Sequence, residues 1–404
     1  MIPFSPPYVD EDVIKEVLDS LNSGWITTGP KVKALEKEVG KLTGVENVLC
    51  VNSATSAMML VLHWFGIGKG DEVIIPSYTY CATALAVMHL GAKPVLADVG
   101  TDFNININEI KKLITPRTKA IVPVDIAGYP CDYDEIYDIV NDEEIKKVFI
   151  STNEVQRMLG RILIMSDAAH SIGAIYKNKP SGSLCDVSVF SFHAVKNVTT
   201  AEGGAICLNL PGKFNNEDLH NWLRLLSLNG QTKDAFTKAL IGNWRYDIVY
   251  PGFKINLSDL CAAVGLSQIR KYTTDLLLRR KEIFKKYNEG LMGKEWAELP
   301  PAKTDEKETS YHIYPLRIRN VTEEQRDMII EEINKREVAV NVHFVPLAML
   351  KIFKERNYEI ENYPVSYDNY SREITLPVYP QLSENEIDTI LKAVIDSYEE
   401  VMKK

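Results

Sequence analysis

The most informative stretch of this chain spans residues 191–204 and reads SFHAVKNVTTAEGG. Apolar runs at residues 187–190 and 205–208 flank it, and each is typical of a buried strand. The stretch is therefore predicted to be a polar loop that holds Lys196 at the edge of a core. Because desolvation disfavours the charged form of an amine, Lys196 is well placed to react as a neutral amine with an aldehyde.

Length and composition are those of a large globular protein. The chain has 404 residues, of which 45% are hydrophobic and 25% charged, and this predicts two domains or one large domain with an appendage. The net charge is −9 and no basic stripe is visible, which argues against nucleic acid as a partner. The first residues lack a secretory pattern, and no apolar run is long enough to cross a membrane. We therefore expect a cytoplasmic protein.

Cysteine and histidine usage argues against disulfides and metals. The six cysteines are scattered without a CxxC pair, which is typical of reduced, buried thiols. The seven histidines have no HxxxH or HExxH spacing, so we expect no metal site.

Strand and helix patterns alternate through the first half of the chain. Short apolar runs predict buried strands at residues 48–51, 72–76, 93–99, 120–124, 162–166, 186–190 and 204–208. With helical patterns between them, this alternation predicts an α/β domain that has a mostly parallel sheet and helices on both faces. Residues 132–160 are long and charged for a connection, so they are functional or peripheral.

The second half of the chain predicts a smaller α+β domain. Residues 212–250 are polar and loop-like with helical pieces, and residues 257–287 predict one long helix that leaves the first domain. Strands and helices are then predicted at residues 311–318, 323–335, 338–342 and 384–402. The predicted division is therefore residues 1–256, including an N-terminal segment 1–45, and residues 257–404.

Several predicted strand ends carry residues suited to a phosphorylated ring. Residues 52–57, NSATSA, follow a strand directly and open a helix, where free amides can bind phosphate, although N-capping by Ser53 also explains the pattern. Residues 76–83, PSYTYCAT, follow another strand, and an aromatic residue there is either a stacking ring or a core residue. Asp167 ends a third strand and can pair with a protonated ring nitrogen or cap a helix. With Lys196 for an aldehyde, this set describes a pyridoxal phosphate site.

Two further features of the sequence, a glycine-rich turn and a pair of histidines, each allow two interpretations. Residues 66–70, GIGKG, resemble a dinucleotide motif but follow a helix, so they predict a helix-ending turn. His193 and His343 are proton donors or structural contacts.

The sequence resembles the DegT/StrS-type sugar-nucleotide aminotransferases, a branch of the aspartate-aminotransferase-like pyridoxal phosphate enzymes. The resemblance rests on GWITTGP at residues 24–30, on SFHAVKNVTTAEGG at 191–204 and on YPGFKINLSD at 250–259. It implies fold type I, with a mostly parallel seven-stranded sheet between helices in the large domain and a smaller C-terminal α+β domain. The chain departs from the usual family pattern at residues 132–161, which are longer than is typical.

The resemblance also implies a set of site residues. The implied cofactor-binding residues are Ala54, Thr55, Tyr80, Asp167, His170, Ser191, Lys196 and Asn256. Lys196 is the implied Schiff-base lysine and general acid/base, and Asp167 the partner of the pyridine nitrogen. Tyr80 stacks on the ring, and His170 lies near its hydroxyl. Asn256 is implied to reach the phosphate bound by the neighbouring subunit, which predicts a homodimer with shared active sites.

The implied reaction moves an amino group from L-glutamate, leaving 2-oxoglutarate, to a nucleotide-linked keto sugar. The motifs favour C4 of a UDP-4-keto sugar in cell-surface polysaccharide or glycan biosynthesis. GDP- or dTDP-keto sugars, aminated at C4 or C3, stay open, and so do a sugar dehydratase and a catalytically silent regulator. The lysine at position 196 argues against the dehydratase, since relatives of that kind carry histidine there. The implied substrate-binding residues are Thr28, His193, His343 and the region 311–314, which begins with Tyr311.

Overall fold

The structure is a computed structural model that describes residues 1–233 and 244–403. Its strands, in chain order, are β1 (Asn47–Val51), β2 (Glu72–Pro76), β3 (Lys93–Ala97), β4 (Thr118–Ile121), β5 (Leu163–Asp167), β6 (Ile175–Tyr176), β7 (Lys179–Pro180), β8 (Val187–Ser191), β9 (Gly204–Leu208), β10 (Ala297–Glu298), β11 (Lys307–Glu308), β12 (Tyr314–Ile318) and β13 (Glu373–Leu376).

The large sheet has seven strands within the described residues, in the order β1-β9-β8-β5-β4-β2-β3. Strand β9 is antiparallel to both of its neighbours, and the other neighbouring pairs are parallel. Strands β2, β4, β5, β8 and β9 are buried at every position, which explains their continuous apolar runs. The predicted α/β class with a mostly parallel sheet is confirmed.

Helices cover both faces of this sheet and build the C-terminal part. The α-helices are Glu11–Asn22, Pro30–Thr43, Ala54–Trp64, Ala82–His89, Ile107–Leu113, Tyr133–Asn141, Glu143–Val148, Glu154–Leu159, Asn216–Ser227, Asp259–Arg270, Leu277–Leu291, Glu323–Lys335, Lys351–Lys354, Pro364–Arg372 and Glu384–Met402. Shorter helical turns are Ile126–Gly128, Tyr272–Leu276, Leu347–Met349 and Ile360–Asn362.

The long connection at residues 132–160 folds into three of these short helices. The side chains of Asn153 and Gln156 donate hydrogen bonds of 3.0 and 2.9 Å to the carbonyl of Phe65. Phe65 is the C-cap of helix Ala54–Trp64. Because a last-turn carbonyl has no partner within its own helix, these bonds anchor the far end of that helix.

The prediction of a single long helix at residues 257–287 is wrong. A wide turn, Tyr272–Leu276, separates Asp259–Arg270 from Leu277–Leu291. The buried side chain of Tyr272 donates a 2.7 Å hydrogen bond to the carbonyl of Ile172, and the β-branched Thr273 and Thr274 that follow have low helix propensity. Both effects favour a break in the helix at this point.

The C-terminal part contains an antiparallel sheet in the order β10-β12-β13. The strand predicted at residues 338–342 is wrong, because that segment makes only isolated bridges, Ile2 with Val338 and Asn341 with Thr375. Strand β12 begins at Tyr314 rather than at residue 311, since Tyr311 has a φ of 54°. The division into residues 1–256 and 257–404 remains our proposal.

Residues 212–250 lie partly within the described chain. The helix Asn216–Ser227 accounts for one of the predicted helical pieces, and residues 234–243 of this segment lie outside the described residues.

Two further observations concern the chain as a whole. All six cysteines fall within the described residues, and none is paired in a disulfide. Within residues 1–233 and 244–403, no helix is both long enough and apolar enough to cross a membrane.

One buried carboxylate ties the N-terminal loop to the second half of the chain. Asp259 is 1% exposed and accepts hydrogen bonds from the backbone N–H groups of Gly29, Lys31 and Val32, at 2.8–3.0 Å. These groups belong to the first turn of helix Pro30–Thr43, whose N-cap, Gly29, has no capping side chain. Asp259 therefore caps that helix across a long sequence separation.

We predict that Asp259→Ala lowers the free energy of unfolding by about 3 kcal/mol, because three N–H groups lose a charged acceptor. The measurement is the midpoint of guanidinium chloride unfolding. Asp275→Ala, at an exposed position nearby, is the control and should change stability by less than about 0.5 kcal/mol. Equal midpoints for the two variants would contradict this role of Asp259.

Candidate active site

A cavity of about 480 Å³ opens at the carboxyl ends of β2, β4, β5 and β8. Parallel strands place their carboxyl ends at one edge of a sheet, which is where ligand sites of α/β proteins form. The predicted site residues that line the cavity are Ala54, Thr55, Tyr80, Asp167, His170, Ser191, His193, Lys196 and His343. The fold thus brings together nine of the predicted side chains from distant parts of the sequence.

Lys196 lies in the loop that follows β8. Its backbone N–H closes a turn with the carbonyl of His193, at 2.9 Å, and its side chain points into the cavity. Burial lowers the pKa of Lys196 to about 8, and the negative charge of Asp167 opposes this shift. The amine therefore has a much larger neutral, nucleophilic fraction near physiological pH than an ordinary lysine, although most of it is still protonated there.

Asp167 ends β5 and is 5% exposed. Its Oδ2 accepts a 2.7 Å hydrogen bond from the hydroxyl of Thr83, and its Oδ1 accepts one of 3.2 Å from the backbone N–H of Ala169. Burial raises the pKa of Asp167, and these two donors and the charge of Lys196 oppose the rise. A cationic group in the cavity would offset the remaining desolvation cost.

The N-terminus of helix Ala54–Trp64 faces the same cavity. Ser53 is its N-cap and accepts a 3.1 Å hydrogen bond from the backbone N–H of Ser56. The amides of Ala54 and Thr55 precede the helix's own carbonyl partners, so they are available to an anion. Gly204 of β9 allows this close approach, since a Cβ there would lie 2.6 Å from the nitrogen of Ala54. Ser191 lines the same cavity with its hydroxyl.

Two buried histidines lie against each other, with their rings tilted, in the lining of the cavity. The rings of His170 and His312 are 4.4 Å apart, and Nδ1 of His170 is buried without a hydrogen-bond partner. Nδ1 of His312 lies 2.8 Å from Oδ1 of Asn197, the residue after Lys196, and an amide oxygen can only accept, so His312 carries its proton there. Burial holds the pKa of both histidines well below the usual value, and both rings are therefore neutral.

Aromatic and charged side chains form the mouth of the cavity. The ring of Tyr80 is 60% exposed and lies 5.9 Å from that of Phe344. His193 and Glu202 form an exposed pair with 3.7 Å between Nε2 and Oε1. A flat ligand can reach the exposed face of Tyr80 from solvent.

Three predicted site residues do not line the cavity of their own chain. The hydroxyl of Thr28 donates to the carbonyl of Leu257 and accepts a 2.6 Å hydrogen bond from the amide of Asn256. Tyr311 is 4% exposed, and its hydroxyl donates to Glu308. Tyr311, whose φ is 54°, packs in the C-terminal core and does not line the cavity, whereas its neighbour His312 does.

Sequence reasoning missed several lining or supporting residues. Thr83, on helix Ala82–His89, holds Asp167, and Phe344 comes from the C-terminal part. Phe4 and Ser5 reach the cavity from the N-terminal segment. These residues gave weak sequence signals, since each is a single residue outside any motif. The exception is Thr83, which lies four residues after Thr79 near a strand end, a spacing that could have drawn attention.

The chemical groups that line the cavity fit pyridoxal phosphate. The cavity presents a desolvated amine with a lowered pKa, a desolvated carboxylate without a hydrogen-bonded cation, a helix N-terminus and an orphaned histidine nitrogen. These match an aldehyde, a protonated ring nitrogen, a phosphate and a ring hydroxyl. Across the described parts of the chain, no group of three or more His, Cys, Asp or Glu side chains is arranged to hold a metal ion.

We predict that Lys196 reacts with a small water-soluble aldehyde, trapped by cyanoborohydride, with a half-maximal rate near pH 8. N-acetyl-lysine, the reference compound, should reach half-maximum at about pH 10.4. Peptide mass spectrometry measures the labelling. Because the charge of Asp167 raises the pKa of Lys196, Asp167→Asn should move the midpoint to lower pH. A midpoint near that of the reference would show that the amine is not desolvated.

A sequence profile of the DegT/DnrJ/EryC1/StrS aminotransferase family matches residues 7–395. The fold superimposes with a TM-score of 0.95 on the PMP form of Spr1654 from Streptococcus pneumoniae, a protein assigned as a sugar aminotransferase. That alignment is 42% identical and covers 99% of this chain and 100% of Spr1654. The PLP form of Spr1654 gives a TM-score of 0.94.

Two other relatives extend the comparison. SpsC of Bacillus subtilis strain 168, a spore coat polysaccharide biosynthesis protein, is 33% identical over 404 residues, which is 98% of this chain and 96% of SpsC. PseC of Helicobacter pylori, an aminotransferase involved in the biosynthesis of pseudoaminic acid, has a TM-score of 0.85 at 28% identity, with 99% of each chain covered. This chain therefore belongs to the DegT/DnrJ/EryC1/StrS aminotransferase family, with the type I fold and pyridoxal phosphate as its cofactor.

Proposed function

We propose that this protein transfers the amino group of L-glutamate to a nucleotide-linked keto sugar. The observation that carries the proposal is the buried amine of Lys196, with its lowered pKa, in one cavity with the buried carboxylate of Asp167. Relatives assigned to sugar amination and to polysaccharide biosynthesis support the sugar as acceptor. The motifs of the sequence favour C4 of a UDP-4-keto sugar over GDP- and dTDP-linked sugars, and a product that enters a cell-surface polysaccharide.

Lys196 has two tasks in this proposal. Pyridoxal phosphate, when bound, supplies an aldehyde that exchanges amino groups and a ring that withdraws electrons. The amine of Lys196 would hold the aldehyde through its neutral form, which the lowered pKa makes more accessible. The same amine would carry a proton to and from the Cα of the amino donor, and a pKa of about 8 suits this exchange near neutral pH.

Asp167 and the helix N-terminus orient the reacting group. The carboxylate of Asp167, held by Thr83, keeps a ring nitrogen protonated and therefore electron-withdrawing. The amides of Ala54 and Thr55, with Ser191, hold a phosphate at the positive end of the helix. The stacked face of Tyr80 limits tilting of the ring.

The protein is proposed to act as a homodimer. An apolar stripe on helix Glu11–Asn22, formed by Ile14, Leu18 and Leu21, is about half exposed, with values of 50–52%. A further exposed apolar set lies on the described residues beyond the gap, namely Trp244, Tyr246, Ile248, Val249 and Tyr250. Exposed apolar surface of this kind supports pairing with a second copy. Asn256, which lies outside its own cavity, would then serve the partner's site.

The protein is proposed to work in the cytoplasm. All six cysteines are unpaired within the described chain, as expected in a reducing compartment, and nucleotide-linked sugars are made there.

We predict that L-glutamate converts the absorbance of the lysine-bound cofactor into that of its amine form, and that a keto-sugar nucleotide restores it. Lys196→Ala should lower the turnover by about 10³-fold or more, because the proton carrier is lost. Lys213→Ala, at an exposed lysine in the loop after β9, is the control and should be unchanged.

Two results would count against the proposal. Near-normal turnover of Lys196→Ala would remove its role as proton carrier. A keto sugar consumed without any amino donor would favour the dehydratase instead.

A mixing experiment tests the shared site. We predict that Lys196→Ala and Asn256→Asp homodimers are each nearly inactive at limiting cofactor, since the new carboxylate of the second variant repels the phosphate. After dissociation and reassociation in equal amounts, mixed dimers hold one intact site, so about a quarter of the wild-type activity should return. No recovery, with mixed dimers verified by mass spectrometry, would place Asn256 outside the partner's site.

A further inference from the structure

A buried hydrogen-bond chain lies behind His343 on the cavity wall. Nδ1 of His343 is 2.9 Å from Oγ1 of Thr375, and the same hydroxyl contacts Oε1 of Glu373. The other carboxyl oxygen, Oε2, accepts a 3.0 Å hydrogen bond from the backbone N–H of His343. Thr375 and Glu373 are 0% exposed, so these hydrogen bonds are connected to the cavity through the imidazole of His343.

The single hydroxyl proton of Thr375 links the two ends of this chain. If Glu373 is ionised, it can only accept, so Thr375 donates to it and accepts from Nδ1–H of His343. Nε2 of His343 is then a hydrogen-bond acceptor. If Glu373 is protonated, its O–H donates to Thr375, which donates to Nδ1, and Nε2 carries the proton. The protonation state of Glu373 therefore decides the hydrogen-bonding character of His343.

We propose that Glu373 is a positioning residue that, through Thr375, presents Nε2–H of His343 as a hydrogen-bond donor to the carbonyl oxygen of the keto-sugar substrate. This inference rests on the proposed function and adds the group that recognises the reacting carbonyl. It also predicts that recognition depends on pH through Glu373.

Arg317 is the first charged group that faces Glu373, because it lies opposite it in the pairing of β12 with β13. Its guanidinium donates to Glu298, at 2.5 Å, and also to Asn369. The positive charge of Arg317 is therefore largely engaged by another carboxylate, and it makes no ion pair with Glu373 among the described residues.

Arg326, on helix Glu323–Lys335, is the second charged neighbour. Its Nε donates a 2.7 Å hydrogen bond to Asp327. Its Nη1 donates to the backbone carbonyls of Tyr370 and Glu373, and not to the carboxyl group of Glu373. Tyr78 also faces Glu373, and burial holds its pKa well above the usual value, so it stays neutral. With no direct cationic partner, burial raises the pKa of Glu373 to about 8. The carboxyl is therefore mostly protonated at neutral pH, which is the state that makes Nε2 a donor.

His343 itself is neutral and firmly held. Burial and the charge of Lys196 lower its pKa to about 3, so it does not carry a second proton at neutral pH. The ring of Phe4 stacks on it at 5.5 Å, and its backbone carbonyl accepts a 2.6 Å hydrogen bond from Tyr78. A fixed, neutral imidazole can act as a directional donor.

A hydrogen-bond donor at this place suits the carbonyl group of the keto sugar. The ketone oxygen has only lone pairs, and it gains negative charge as the carbonyl carbon is attacked. A hydrogen bond from Nε2–H stabilises that charge, whereas an Nε2 lone pair would repel it. Lys196 and His343 line the same cavity, so a substrate bound there is exposed to both side chains.

The test uses the holoenzyme and its dimer as they exist. First, ¹⁵N NMR of imidazole-labelled enzyme, assigned with His343→Gln, follows the His343 tautomer from pH 6.5 to 9.5. We expect Nε2–H below about pH 8 and Nδ1–H above it. In Glu373→Gln the amide N–H replaces the carboxyl O–H and cannot ionise, so Nε2–H should persist over the whole range.

Second, single-turnover kinetics compare the two half-reactions of the same proteins. Because the pKa of Glu373 is raised to about 8, His343 donates through Nε2–H below pH 8 and loses this form above it. The wild-type kcat/KM for the keto sugar should therefore fall about tenfold between pH 7.5 and 9.5 relative to that of Glu373→Gln. Lys196 titrates in both proteins, so the difference between them reports Glu373. The half-reaction with L-glutamate should show no such difference.

Thr375 supplies the matched pair of variants. Thr375→Ser keeps the hydroxyl and should retain the wild-type pH profile, while Thr375→Val breaks the chain and should raise KM for the keto sugar about three- to tenfold. Thermal unfolding of both variants separates this effect from a folding defect.

The outcomes separate this inference from the proposed function. If no keto-sugar nucleotide reacts with the wild type, the proposed acceptor is wrong, and the tautomer measurement still decides the coupling of Glu373 to His343. A His343 tautomer that ignores pH and Glu373→Gln overturns the inference. So does a keto sugar that reacts with the same pH profile in both proteins.

Discussion

The active site depends on the removal of two opposite charges from water within one cavity. Desolvation lowers the pKa of Lys196 and raises that of Asp167, and the two groups interact through their charges without a hydrogen bond between them. A direct ion pair would have left a protonated amine and a satisfied carboxylate, and neither could have served a bound group. By keeping them apart, the fold leaves an amine that can attack and a carboxylate that needs a cation.

The topology of the sheet supplies that separation. Asp167 ends β5 and Lys196 follows β8, which is its parallel neighbour, so both side chains emerge at the same edge. The helix that begins at Ala54 adds its positive end at this edge. The far end of that helix is anchored by the helices of residues 132–160, and this gives the long charged connection a structural task remote from the chemistry. The C-terminal part then closes the cavity with His312, His343 and Phe344.

Much of the fold and part of the site could be predicted from local patterns. Continuous apolar runs identified the strands of the large sheet because both of its faces are covered, and the loop with Lys196 was recognisable by its motif. The helix at residues 257–287 was predicted without its break, since the anchoring of Tyr272 on Ile172 is a tertiary contact. β13 was missed for a similar reason, because its four residues are held by tertiary pairing with β12 and by a bridge from Thr375 to Asn341.

The residues of the sequence were sufficient to identify the chemistry, since an apolar-flanked lysine, an acid at a strand end and small residues before a helix each follow from local order. The C-terminal part of the site was decided by the tertiary structure. His312 rather than Tyr311 lines the cavity, since Tyr311, at a positive φ, packs in the C-terminal core. The tautomer of His343 depends on Glu373, which is distant in sequence and carries no motif. Such couplings arise from burial and hydrogen-bond geometry, and neither property is written in the local pattern of the chain.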